Sequence, residues 1–85
     1  MHGADPIPAL KQQAVRALVP LIEGWSRDYS AALIGVERAR ILDLQRGKLD
    51  RFSLERLIRF LVRAGAGVEL RIDAPSADSF ARRGR

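Results

Sequence analysis

The sequence predicts a mainly helical domain of four to five short helices that ends in one short strand. Three observations predict it. Apolar residues recur at helical spacing from Leu10 to Leu61. Glycines at positions 24, 35, 47 and 65 divide that stretch into helix-length pieces. From Val68 the period changes, and Val68, Leu70 and Ile72 alternate with Glu69 and Arg71.

The 85 residues make one small domain, spanning 8–72, after a flexible lead (1–7) and before a disordered basic tail (73–85). Chains this short bury only about 60–65% of their unfolded surface and usually gain stability from a disulfide, a metal or a second chain. There is no cysteine, and the one histidine is His2 near the terminus. Disulfides, thiolate sites and a zinc centre are therefore not expected, and neither is a cofactor. Dimerisation is the remaining route.

Fifteen Lys/Arg against ten Asp/Glu give a formal charge of +5, which favours polyanionic partners, meaning nucleic acid or an acidic membrane surface. No apolar run approaches the roughly 20 residues that span a bilayer. The start, Met1 to Pro6, lacks a cationic stretch followed by an apolar one, so no secretory signal is read there. The expected location is the cytoplasm, in association with the nucleoid. The serines have no imidazole base beside His2, and no paired acids or Gly-rich phosphate loop occur, so an enzyme is not expected.

The first helix opens with Pro8, whose missing N–H costs nothing in a first turn. Leu10, Ala14, Ala17, Leu18, Leu21 and Ile22 form its apolar side. Pro20 conflicts with it by removing the bond to the Arg16 carbonyl, and predicts a kink or two short helices. Gly24 closes the element. Ser26 is a suitable N-cap for the second helix, which carries Ala31, Ala32, Leu33 and Ile34 and ends at Gly35. A third helix follows from about Glu37 to Arg46, with Ile41 and Leu44 inward, and Gly47 stops it. Lys48 to Phe52 form a loop. Ser53 caps a fourth helix with the stripe Leu54, Leu57, Ile58, Leu61, and Phe52 with Leu57 fits a hydrophobic staple.

Ser26 to Gly47 holds the functional signal: two short helices joined through Gly35-Val36, the plan of a helix-turn-helix. The second helix of such a pair fits a major groove about 12 Å wide, and its first residues reach base edges. Arg38, Ala39, Leu42 and Asp43 are the candidate base contacts. Arg38 suits a guanine edge, and Ala39 a thymine methyl. Asp43 either accepts from a cytosine amine or holds Arg40 or Arg46 in place. Arg27, Arg40, Arg46, Lys48 and Arg51 are the candidate phosphate contacts. Glu37 is repelled by phosphate and is read as a complement to the helix N-terminus. Trp25 and Tyr29 are read as packing residues rather than base-stacking ones.

The terminal strand predicts a second chain. A lone strand leaves backbone donors and acceptors unpaired, and antiparallel pairing with its own copy satisfies them. Val68, Glu69, Leu70, Arg71 and Ile72 are the expected interface, with Glu69 opposite the partner copy's Arg71. The alternative is that the segment folds back on its own chain or stays frayed.

These residues resemble the XRE-type (lambda-repressor-like) helix-turn-helix regulators, specifically the short subgroup similar to HigA-type antitoxins. The first block is carried by Ser26, Ala31, Leu33, Gly35, Val36, Arg40, Ile41, Leu44, Gly47 and Lys48. The second is carried by Asp50, Phe52, Ser53, Leu54, Leu57, Leu61, Gly65 and Val68-Glu69-Leu70. The resemblance covers about residues 9–72, and Gly47 to Leu54 is its most specific run. The departures fall on the DNA side: Arg27 and Arg38 stand for the usual Gln, Glu37 for Ser/Thr, and Leu42 for Ser. They imply an operator unlike that of a typical member. The resemblance implies a DNA-binding transcriptional regulator, and with the paired strands the expected function is a repressor acting on a palindromic operator as a homodimer. The alternatives are an antitoxin that neutralises a toxin partner and autoregulates its operon, and a heterodimer with a related helix-turn-helix protein.

Overall fold

In the computed structural model, which describes residues 5–74, four α-helices and one 3₁₀ turn follow one another: α1 (Ile7–Glu23), α2 (Arg27–Ile34), α3 (Arg38–Gln45), the 3₁₀ turn (Leu49–Arg51) and α4 (Leu54–Arg63). α1 packs chiefly on α4, and α2 packs on both α3 and α4. The first four residues, and all of the basic tail expected over 73–85 except its first two residues, lie outside the described residues.

α1 starts one residue earlier than expected. The Asp5 carboxylate accepts from the Ile7 N–H at 3.0 Å, and Pro8 sits within the first turn. The helix then runs unbroken through Pro20, so the two short helices expected there do not form. Both Pro20 and Arg16 are exposed. The Arg16 carbonyl that loses its helical donor therefore lies on the side where water replaces it, and the break costs less than in a buried turn.

Leu18, Ile22, Ile34, Ile41, Leu44, Phe52 and Leu57 are almost completely removed from solvent and form the core. Phe60, absent from the expected stripe, is also buried and meets Phe52 edge-on, with ring centroids 5.8 Å apart. Val15 joins the core, whereas Ala17 stays exposed and Leu10 half-buried. Leu54 and Ile58 of α4 are likewise half-buried. These residues border an apolar groove between α1 and α4, and Val68 and Leu70 contribute to its lining.

Both serine caps form. Ser26 Oγ accepts from the Tyr29 N–H and Ser53 Oγ from the Arg56 N–H, each at 3.1 Å. Ser53→Ala is expected to lower the unfolding free energy by about 1 kcal/mol, read from the urea midpoint. An unchanged midpoint would show that water replaces the cap without loss.

The expected strand over 68–72 is not formed: among the described residues none is in a strand. A ladder needs an extended neighbour, and every regular element described here is helical. Leu70 is 81% exposed and Ile72 76%. Arg71 pairs with Asp73 of its own chain at 3.4 Å. No described helix is long and apolar enough to cross a membrane.

Candidate nucleic-acid interface

The site grows from the turn between α2 and α3. Gly35 takes φ +78°, a left-handed conformation that a residue with a Cβ adopts only with strain. The Gly35 and Val36 N–H groups both donate to the Ala31 carbonyl, at 2.9 and 3.0 Å, and close the end of α2. Glu37 then takes the extended N-cap conformation and α3 begins at Arg38. The Glu37 carboxylate makes no cap hydrogen bond, so its complement to the helix N-terminus is one of charge alone.

This geometry places the first residues of α2 and α3 together. Arg38 Nη1 lies 3.7 Å from Asp28 Oδ1, and the Arg38 side chain remains 62% exposed. Ala39 beside it is exposed, and Leu42, one turn on, is half-buried. Asp43 behaves differently. Only 14% of its side chain is exposed; it accepts a hydrogen bond from the Arg40 guanidinium, and Arg51 Nε approaches to 3.8 Å. Of the two roles the sequence left open, the surroundings favour holding arginines, with Arg40 and Arg51 gathered rather than Arg46. Arg27, Arg46 and Lys48 are exposed, and among the described residues none of them forms an ion pair.

Two residues here, Arg56 and Arg63, escaped sequence reasoning, and Tyr29 takes a packing place as read. The Arg56 guanidinium lies over the Phe52 and Phe60 rings, 5.6 and 5.4 Å from their centroids, a cation–π arrangement that fixes it beside the turn. Arg63 donates to the Ile34 carbonyl at 2.8 Å. Tyr29 is 53% exposed at the start of α2 and meets half-buried Trp25 edge-on at 5.4 Å. Nothing local in the sequence marks a bond spanning 29 positions.

Two helices set by a left-handed glycine turn, with the second presenting an exposed arginine at its start, define a helix-turn-helix domain. The model of the family described as "Helix-turn-helix domain" matches residues 2–73, and the chain belongs to that family. It is similar to a solved structure described as "Putative XRE Family Transcriptional Regulator", at 28% identity and a TM-score of 0.73, covering 81% of this chain and 80% of that one. No curated protein matches it.

Proposed function

We propose that the protein is a sequence-specific, double-stranded DNA-binding transcriptional regulator, a repressor that reads a palindromic operator as a dimer. The observation that carries this reading is the start of α3, where Arg38 and Ala39 stand exposed beside the capped N-terminus of α2. A helix so presented enters the major groove by its N-terminal end, while the first helix points its backbone N–H groups at a phosphate. Arg38 and Ala39 contact base edges, with Leu42 on the same approach. Arg27, Arg46 and Lys48 contact phosphates, and Arg40 and Arg51 do so while tethered to Asp43. The net charge of +5 and the similar regulator structure support the same partner.

The half-covered groove between α1 and α4, and the exposed Val68, Leu70 and Ile72, support the dimer. A second copy pairing along 68–72 would form a ladder there and cover that apolar surface. Two α3 helices about 34 Å apart would then read successive major grooves on one duplex face. The antitoxin reading, with a toxin partner, rests on the sequence resemblance to HigA-type proteins, and no feature of the site favours it over the regulator.

The test is Arg38→Ala on DNA selected by the full chain from a random duplex library. The expected loss is about 1–3 kcal/mol of binding free energy with relaxed preference at one base position. An equal loss on every sequence would demote Arg38 to a phosphate contact. An unchanged affinity would remove α3 from the groove.

A further inference from the structure

We infer that Arg63 is the positioning residue of the helix-turn-helix, holding the turn from behind and so setting the direction of α3; this rests on the DNA-binding reading above. Arg63 is the last residue of α4, and its Nη1 donates to the carbonyl of Ile34, the last residue of α2, at 2.8 Å. Among the described residues no other side-chain hydrogen bond joins positions more than eight apart.

The chemistry of that carbonyl explains the bond. The final carbonyls of a helix have no intrahelical donor and carry the negative end of its dipole. Gly35 and Val36 both donate to Ala31, so the turn's own amides leave the Ile34 oxygen to another donor. A guanidinium satisfies that oxygen with a charge-assisted bond and places a positive charge where the dipole favours one. The same guanidinium occupies the space a Cβ on Gly35 would need. Glycine at 35 therefore serves two ends, the left-handed backbone and the approach of Arg63. The turn is clamped between its own Ala31 bonds and an arginine from the end of α4, and α3 leaves it two residues later at Arg38.

Arg63 approaches the turn from α4 and has no place in the base or phosphate contacts proposed above, which allows a clean test. The full chain and Arg63→Met are compared on a duplex enriched from a random library, well below the unfolding temperature of both. The expected result is a loss of about tenfold in affinity, the scale of one charged hydrogen bond, with the slope of log affinity against log salt unchanged. The Gly35 and Val36 amides should exchange faster with solvent, and Arg63→Lys, which keeps one charged donor, should recover most of both effects. A slope shallower by about one unit would make Arg63 a direct phosphate contact and overturn the inference. A lower unfolding temperature with unchanged affinity would overturn it too, leaving Arg63 a stabilising residue only. If the full chain enriches no duplex, the DNA reading fails on its own. Amide exchange then decides the clamp: faster exchange in Arg63→Met supports it and unchanged exchange refutes it.

Discussion

Phe52→Ala is expected to lower the unfolding free energy by about 3–5 kcal/mol, enough to leave a domain this small only marginally folded at ambient temperature. Phe52 is 1% exposed and joins the 3₁₀ turn to Ser53, the cap of α4. Its ring meets Phe60 edge-on and lies beneath the Arg56 guanidinium. Truncation removes the buried area, opens a cavity between α4 and the rest of the core, and takes away one of the two ring faces that fix Arg56. Urea unfolding followed by circular dichroism measures the loss. Phe52→Leu, which keeps most of the volume, should cost much less. A loss below about 1 kcal/mol for Phe52→Ala would mean that the core collapses around the gap.

Leu70→Asp is expected to turn the proposed dimer into a monomer and to weaken operator binding about a hundredfold. Leu70 is 81% exposed in the single chain, so the substitution leaves the fold of each protomer intact. In a paired ladder the same position would bring two carboxylates into an apolar seam, an arrangement penalised by desolvation and by like-charge repulsion. The affinity falls because the second half-site contact ceases to be intramolecular; linking two sites raises avidity by about 10²–10⁴. Sedimentation velocity gives the oligomeric state and fluorescence anisotropy the affinity. A variant that stays dimeric and binds its operator normally contradicts the proposed interface.

The local signals were legible in the residues. Ser26, Gly35 and Ser53 act through groups no more than four positions away, and short-range chemistry of this kind leaves its mark in sequence. Pro20 shows the limit of such rules. Its clash with the preceding turn is local, but its cost depends on whether the Arg16 carbonyl faces solvent, and that is settled by which side of α1 packs on α4. Val15 and Phe60 were missed for the same reason, since their burial follows from meetings between distant elements. Leu10, Ala17, Leu54 and Ile58 read as part of an apolar side, yet one chain leaves them partly or wholly uncovered; their pattern exceeds what a single copy buries. In the site, the exposure of Arg38 and Ala39 and the pairing of Asp43 with Arg40 three positions away were legible, but the approach of Arg51 to Asp43 and the reach of Arg63 depend on the tertiary arrangement.

The carboxylate of Asp28 beside Arg38 carries a consequence for how DNA is met. An exposed pair at 3.7 Å adds little to the fold, but it gives the leading arginine a counterion of its own. A duplex that supplies only phosphates must displace that counterion and leave Asp28 facing like charge. A guanine edge offers Arg38 two aligned acceptors in exchange. If Arg38 reads a base as proposed, the acid would tax indiscriminate adhesion more heavily than correct reading, and would widen the gap between them at the expense of raw tightness.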